Sequence, residues 1–480
     1  MKKFLTLIVM LFVLTSVAAC GNNNGPDGPT DNDILPVDQI DKSKKIEISF
    51  YHAMGQKNQA VMESIAEKYS AEMKEVYGVD VTVNFSNQGN YDTLRKTIAA
   101  SIAAGTQPTV AQTYPDHVSL YLEGEAVRAL DDFVEHADYG LEGTEANSYN
   151  FVDTYWAEGR IYDKAKTLYS IPFNKSTEVV FYNIELFEKY GWEAPKTWDD
   201  VKFICEEWKE TPEYKKIVES GSKTAGMGID SEANFFITLI QQWGGEYTGF
   251  DENGNGQFLF DNPEAKAALQ WLVDEFNAGN LATATHFGTD YCSDAFTAQQ
   301  IPMTIGSSAG ASYNIDDTEA FTTGVSTYPQ MAGASEDEKY VIQQGTNVTL
   351  FKCADAQEEL FGWLFIKFLT NYESALQWTL ETAYYPTRKD VIASDEYQEY
   401  VSQMVYDAAG NGKYVYDPIK EVCKVGLIDQ SAYYYTSVAF PGSASARDEA
   451  TLIIQGILYN QREYSVEKAI KDAIAALENN

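Results

Sequence analysis

The sequence predicts an α/β fold in which helices cover a parallel sheet. Two observations carry this prediction. Strand-like and helix-like apolar patterns alternate along the first hundred folded residues, and a glycine follows each of the first two helical stretches. A strand, helix, strand, helix, strand order is typical of parallel sheets, because each parallel strand needs a crossover connection.

The individual elements follow from the spacing of apolar residues. The predicted order is a strand at 46–50, a helix at 62–73, a strand at 79–85, a helix at 94–102 and a strand around Val110. Gly78 and Gly105 act as the helix stop signals. Further helices are predicted at 198–209, 263–276, 357–370, 447–459 and 467–477. Ligands of parallel sheets bind beyond the carboxyl ends of the strands, which selects the loops 51–56, 86–91 and 113–117.

A polar run at 251–256 predicts a hairpin turn before Phe258. The same run resembles the start of a calcium-binding loop. However, Asn262 stands at the twelfth position, where such a loop needs a bidentate glutamate. We therefore expect a turn, with no metal and no cofactor.

The composition is typical of a globular protein. The 480 residues are 44% hydrophobic and 22% charged, with a formal net charge of −36. This length suffices for two or three globular domains, and the negative charge argues against nucleic acid as a partner. Four of the five cysteines follow Cys20 and lie far apart without metal-ligand spacing, at Cys205, Cys292, Cys353 and Cys423. They could form disulfides in three pairings or remain buried thiols, and a chain of this length does not need disulfides.

The N-terminus has the features of an export signal. Lys2 and Lys3 precede an apolar stretch at 4–14, and the run Val-Ala-Ala-Cys ends at Cys20. This run resembles a bacterial lipobox, which implies that residues 1–20 are a lipoprotein signal and that Cys20 is lipidated. An ordinary signal peptide that contains a cysteine is the alternative. The polar segment after Cys20 predicts a flexible linker over 21–43, with folded structure from Lys44. We expect an extracytoplasmic protein that its lipid holds at the outer face of the cell membrane.

Several motifs in order resemble one family. Residues 168–190 read LYSIPFNKSTEVVFYNIELFEKY, and GWEAPKTWDDV follows. Further matches lie at 103–108, 296–298, 303–308 and 382–386. Together they resemble the bacterial extracellular solute-binding proteins of ABC importers. Within that family, segments 88–92, 172–177, 306–310 and 344–345 are most similar to the branch that binds glycerol 3-phosphate.

The resemblance implies a two-lobed, periplasmic-binding-protein-like (type II) fold with a hinge between the lobes. Residues 44–172 and 326–384 would form lobe 1, and residues 173–325 and 385–480 would form lobe 2. The protein would be a monomeric receptor that closes on a sugar, oligosaccharide or glycerol-3-phosphate-like solute. Its other partners would be the permease subunits of the importer.

Motif matching also implies the ligand contacts. The candidates are Tyr91, Asp116, Ser176, Ser307, Ser308, Gly345, Tyr384 and Arg447. Tyrosine offers an apolar face and a hydroxyl, and Arg447 could bind a phosphate or carboxylate through two hydrogen bonds. Asp116 stands beside Pro115, which occupies the position of the branch's ligand-binding carboxylate. We add Trp243 as a stacking platform for a sugar ring; a structural tryptophan is the alternative.

Enzymes are the competing class. Residues 306–310 fit the G-x-S-x-G pattern of a serine hydrolase with Ser308 as nucleophile. All four histidines precede Ser308, whereas the α/β-hydrolase order places the histidine after the serine. A surface-anchored glycoside hydrolase or other carbohydrate-active enzyme is the alternative function, because acidic pairs are abundant in this chain. A surface adhesin or scaffold fits the two-lobed fold poorly.

Overall fold

The structure is a computed structural model that describes residues 34–315, 320–382 and 384–478. The predicted signal, Cys20 and residues 21–33 lie outside the described residues. The strands are β1 (Ile46–His52), β2 (Val81–Asn87), β3 (Val110–Thr113), β4 (Ile171–Asn183), β5 (Met227–Ile229), β6 (Thr248–Phe250), β7 (Gly256–Phe258), β8 (Leu281–Thr283), β9 (Met303–Ser307), β10 (Thr323–Ser326), β11 (Val341–Leu350), β12 (Met404–Tyr406), β13 (Gly412–Tyr414) and β14 (Tyr434–Tyr435).

Helices connect and cover these strands. They are α1 (Gln56–Val76), α2 (Tyr91–Ala103), α3 (Pro115–Glu123), α4 (Asp131–Val134), α5 (Asp153–Glu158), α6 (Ile184–Tyr190), α7 (Trp198–Glu210), α8 (Pro212–Glu219), α9 (Glu232–Gln242), α10 (Pro263–Asn277), α11 (Ala284–Phe287), α12 (Cys292–Thr297), α13 (Ala356–Leu369), α14 (Tyr372–Thr382), α15 (Lys389–Ile392), α16 (Asp395–Ser402), α17 (Pro418–Lys424), α18 (Ser443–Tyr459) and α19 (Val466–Glu478). Among the described residues, no helix combines the length and apolarity needed to cross a bilayer.

One continuous sheet runs through two lobes in the order β2-β1-β3-β11-β4-β9-β5-β8. The strands β1, β2 and β3 are parallel and begin lobe 1, as the alternation of strands and helices along the chain predicted. In lobe 2, β5 pairs in parallel with β8 and β9. The predicted α/β architecture is therefore present in each lobe.

Two long strands cross between the lobes and form the hinge. Strand β4 pairs with β11 through residues 171–177 and with β9 through residues 178–182. Strand β11 pairs with β3 through residues 347–350 at its other end. Gly345 of β11 has φ +89°, and an added Cβ there would lie 2.0 Å from the carbonyl oxygen of Asn174. Only glycine fits this close crossing without displacing the backbone.

Two of the predicted boundaries need correction. Tyr328, Val341 and Ile342 are buried in the apolar core of lobe 2, so the chain returns to lobe 1 within β11 and not at residue 326. Folded structure also starts before Lys44. Ile34 and Leu35 pack against the lobe 1 core, and the carbonyl oxygen of Leu35 accepts a hydrogen bond from the Tyr139 hydroxyl. The part of the linker after residue 33 is thus packed on lobe 1.

The polar run at 251–256 forms the predicted hairpin turn. Strands β6 and β7 pair antiparallel on either side of it. The Asp251 carboxylate accepts hydrogen bonds from the backbone N–H groups of Asn253 and Asn255, each at 2.8 Å. The carboxylate therefore closes the turn itself. In the described part of the chain, no group of three His, Cys, Asp or Glu side chains is arranged to hold a metal ion.

Candidate functional site

A cavity of about 400 Å³ lies between the lobes, over the hinge strands. Lobe 1 supplies residues from the starts of α2 and α3, and lobe 2 supplies residues from the starts of α9 and α18 and the end of β9. Residues 342–345 of the hinge strand β11 and residues 436–439, which follow β14, complete this part of the lining. Two of the three predicted ligand loops, 86–91 and 113–117, thus place residues in the lining.

The structure brings five of the nine predicted site residues into this cavity. These are Tyr91, Asp116, Ser307, Gly345 and Arg447. Tyr384 lies beside Tyr91 but outside the lining. Burial, followed by the neighbouring Tyr384 and Tyr114, raises the pKa of the Tyr91 hydroxyl well above its ordinary value.

Ser176 and Ser308 are buried at the hinge and do not line the cavity. Ser176 is 3% exposed and is paired with Gln344 in the sheet. Ser308 is 2% exposed, and its Oγ accepts a hydrogen bond from the backbone N–H of Thr177 at 3.1 Å. A hydroxyl that is buried as an acceptor in the hinge is poorly placed to attack a substrate, which argues against the hydrolase reading of residues 306–310.

Trp243 is not a stacking platform in this cavity. Its ring is half-buried against the core of lobe 2, with its centroid 5.1 Å from that of Trp271. Its position at the end of α9 lies at the opposite end of that helix from the cavity residues Ser231 and Asn234. The structure therefore supports the alternative interpretation, in which Trp243 contributes to the packing of lobe 2.

Aromatic residues of lobe 1 form one wall of the cavity. The rings of Tyr91 and Tyr114 meet edge to face, with centroids 4.9 Å apart. His117 follows one helical turn later on α3, with its ring centroid 5.6 Å from that of Tyr114. Burial lowers the pKa of His117, which favours its neutral form. These rings offer flat apolar faces, and the cation on the same side, Arg95 of α2, is already paired with Asp92 and Asp448.

The opposite wall carries a half-buried guanidinium. An Nη2 hydrogen of Arg447 donates to the Oδ1 of Asn234, and no carboxylate in the described chain lies within ion-pair distance of Arg447. Asn234 in turn donates through Nδ2 to Glu178 Oε1 at 3.2 Å. Burial raises the pKa of Glu178 to about 8, so this carboxyl is largely protonated at neutral pH. Arg447 therefore keeps hydrogen-bonding capacity and charge for a ligand.

Four helices begin at the cavity. The first turns of α2, α3, α9 and α18 all contribute lining residues, including Tyr91, Asp116, Asn234 and Ser443. Free backbone N–H groups and the positive end of the helix dipole favour oxygen-rich or anionic ligands at such ends.

Sequence reasoning missed several residues of the site. Tyr114 falls inside the predicted loop 113–117, so its position was available from the sequence. Asn234, Tyr247 and Glu158 also line the cavity but carry no local motif. Glu158 is held at the hinge by a buried ion pair with Lys175 and by a 2.8 Å hydrogen bond from Gln343. Strand β4 mixes polar and apolar residues around Lys175, so no local pattern marks this pair.

Comparisons with known proteins identify the family of this chain. A family model described as bacterial extracellular solute-binding protein matches residues 65–404. The sn-glycerol-3-phosphate-binding periplasmic protein UgpB of Shigella dysenteriae serotype 1 is 25% identical over 354 residues, which cover 71% of this chain and 74% of that protein. The protein of the same name from Escherichia coli (strain K12) is 26% identical over 349 residues, with the same two coverages.

Solved structures share the fold. UgpB from Mycobacterium tuberculosis in complex with glycerophosphocholine superposes with a TM-score of 0.67 at 17% identity, over 90% of this chain and 97% of that one. The cyclic alpha-maltosyl-1,6-maltose binding protein from Arthrobacter globiformis superposes with a TM-score of 0.66 at 18% identity, over 91% of this chain and 100% of that one. The predicted type II periplasmic-binding-protein fold is thereby confirmed. With two thirds of its length matched by the family model, this chain belongs to the bacterial extracellular solute-binding proteins.

Proposed function

We propose that this protein is the substrate-binding receptor of an ABC importer and captures a small phosphorylated polyol, of the glycerol 3-phosphate kind, by closing its two lobes. The observation that carries the proposal is the inter-lobe cavity with a guanidinium on one wall, that of Arg447, which has no carboxylate partner among the described residues. A buried or half-buried cation without a counter-ion is costly unless a ligand anion completes it. The relatives named for binding sn-glycerol 3-phosphate support the same ligand class.

The size of the cavity also favours a small solute. Ligand cavities range from about 300 to 1,000 Å³, and this one lies near the lower end at about 400 Å³. Long oligosaccharides would need more room. A neutral mono- or disaccharide is the second candidate, and the Tyr91–Tyr114 wall favours it, because aromatic faces pack well against sugar rings.

A calorimetric titration panel tests the proposal. The panel comprises sn-glycerol 3-phosphate, glycerophosphocholine, glycerol and maltose, on the protein without residues 1–33. We expect a Kd of roughly micromolar, ~−8 kcal/mol, for a phosphate-containing member. Arg447→Ala should weaken that binding by ~2 kcal/mol, because a hydrogen-bonded charge pair is lost.

Matched controls separate the two candidates. Arg462→Ala removes an arginine outside the cavity and should leave the affinity unaltered. Binding of maltose but not of the phosphates, insensitive to Arg447→Ala, would favour the sugar alternative. Failure of every panel member to bind would contradict this assignment of the ligand class.

The lipid anchor belongs to the same proposal. The export signal and the Val-Ala-Ala-Cys run that ends at Cys20 support it. Cys20→Ala should release the protein from the membrane fraction or leave it unprocessed, and Cys353→Ala serves as the control for loss of a cysteine. Recovery of the Cys20→Ala variant in salt-washed membranes at its mature mass would contradict a lipid anchor.

The closed lobes would dock on the permease subunits of the importer. Lobe closure brings surfaces of both lobes into one fixed arrangement, which a partner can distinguish from the open form. Ligand-dependent stimulation of ATP hydrolysis by the reconstituted importer is the measurement that tests this step. The protein is proposed to act as a monomer, which light scattering during size-exclusion chromatography tests.

A further inference from the structure

Glu178 lies directly beneath the cavity, at the point where the hinge strand β4 enters lobe 2. It is 1% exposed and does not line the cavity itself. Its Oε1 accepts two hydrogen bonds, one from Asn234 Nδ2 at 3.2 Å and one from Gln344 Nε2 at 3.1 Å. Both amides belong to residues that do line the cavity.

Asn234 connects Glu178 to Arg447 through hydrogen bonds of its side-chain amide. Because Nδ2 of Asn234 is donated to Glu178, its Oδ1 is turned toward Arg447 and accepts the Nη2 hydrogen. An amide that is free to rotate could present its NH₂ group to the guanidinium instead, and two donors would then face each other. The acceptor at Glu178 therefore decides which face of Asn234 meets Arg447.

We propose that Glu178 is a positioning residue that, through Asn234 and Gln344, holds Arg447 and the hinge wall of the cavity in the orientation that binds the ligand. A single carboxyl oxygen thus links α9, β11 and, through Asn234, α18. Hydrogen bonds between buried polar groups fix side-chain orientation, and here they all converge on Oε1, since Oε2 of Glu178 has no hydrogen-bond partner among the described residues. This inference rests on the proposed function, in which the ligand binds at Arg447.

The backbone of Glu178 strengthens the link to the hinge. Its carbonyl oxygen accepts a hydrogen bond from Gln430 Nε2 at 2.8 Å, and the Gln430 Oε1 accepts the backbone N–H of Tyr328 at 2.8 Å. Glu178 is therefore anchored on the lobe 2 side of the hinge. Gln344, on the neighbouring strand β11, is joined to that anchor by the side chain of Glu178.

A crystal structure of the Glu178→Leu variant tests the inference without any ligand. We expect the Asn234 amide to rotate and the Arg447 hydrogen bond to Oδ1 to be lost, whereas Glu178→Gln, which keeps an acceptor oxygen, should retain it. Unchanged Asn234 and Arg447 side chains in Glu178→Leu would overturn the inference. Should Glu178→Leu not fold, the Asn234→Leu variant removes the same link while leaving Glu178 in place, and Arg447 should then change orientation.

Binding of sn-glycerol 3-phosphate supplies the functional readout. Glu178→Leu should raise the Kd about tenfold, and Glu178→Gln should recover most of the loss. In the Arg447→Ala background, Glu178→Leu should change the Kd less than about twofold, because the residue that it positions is already absent. The buried carboxyl of Glu275, which holds Lys202 and Asn280 away from the cavity, is the matched control, and Glu275→Leu should not change the Kd.

The experiments distinguish a failure of the positioning role of Glu178 from a failure of the proposed function. Equal effects of Glu178→Leu with and without Arg447 would overturn the positioning role while leaving the proposed function intact. Absence of binding by the unaltered protein would instead contradict the proposed ligand, and the crystal structures alone would then decide the role of Glu178.

Discussion

Arg95 of lobe 1 reaches across the mouth of the cavity to Asp448 of lobe 2, with Nη2 3.3 Å from Oδ2. The same guanidinium also bonds Asp92 on its own helix at 2.7 Å. Asp448 directly follows Arg447 at the start of α18, so this ion pair closes the cavity beside the proposed anion site. Because the pair joins the two lobes, we expect it to be lost when they separate.

We predict that Asp448→Asn lowers the closed fraction of the ligand-free protein. Asp448 is 65% exposed, so the pair contributes only ~0.5 kcal/mol, or about a twofold change in the closure equilibrium. Single-molecule energy transfer between one dye on each lobe measures this fraction. The difference should vanish at 1 M salt because exposed charges are screened.

Asp472→Asn, which breaks an exposed pair with Lys468 within lobe 2, is the control. An equal effect of both variants would show that the inter-lobe pair has no special role.

Gly345→Ala should destabilise the protein strongly. Its φ of +89° and the 2.0 Å approach of an added Cβ to Asn174 O make any side chain unfavourable there. We expect a loss of at least ~2 kcal/mol in the free energy of unfolding, measured with urea. Gly333→Ala has a similar φ of +80° but open space around the Cβ, and it should cost about 1 kcal/mol. Equal losses at both positions would mean that the hinge crossing does not require glycine for steric reasons.

The Lys175–Glu158 pair should behave as a buried unit. The two side chains are 0% and 2% exposed, so Lys175→Met leaves a carboxylate buried without its counter-ion. We expect a cost of about 3–5 kcal/mol in unfolding free energy. The double variant Lys175→Met/Glu158→Gln should recover most of that loss. No recovery in the double variant would indicate that Lys175 contributes mainly through packing under the Tyr155 ring.

The pH dependence of stability should report on Glu178. Burial raises its folded pKa to about 8 from the ordinary 4.5. The stability that this group contributes is therefore complete below pH 4.5 and is lost as the pH rises toward 8. Glu178→Gln removes this dependence, so its Tm relative to the unaltered protein should rise between these pH values, by at least ~2 °C. A difference in Tm that does not vary with pH would contradict a raised pKa.

Local patterns made the outer parts of the fold predictable. The alternation at Ile46, Ile48 and Phe50 identified β1, and the spacing before Gly78 identified α1, because each pattern reports one buried face. The lobe boundary near residue 326 failed because Tyr328 is buried by contacts with residues distant in the chain, which spacing does not encode.

The site was only partly predictable for the same reason. Tyr91 and Tyr114 follow from their places after parallel strands. A tryptophan such as Trp243 could stack on a sugar ring. Its contact with Trp271 arises only when α9 and α10 pack together, which the sequence pattern does not reveal. Glu178 stands in a strand that is buried on both faces, so its role depends on Asn234, more than fifty residues later.

The crystal structure of the protein with the tightest-binding member of the solute panel tests the central claim most directly. The account predicts that the solute lies between the lobes, touching Arg447 on one wall and Tyr91 or Tyr114 on the other. A solute bound outside this cavity, or bound by residues of one lobe alone, would contradict it.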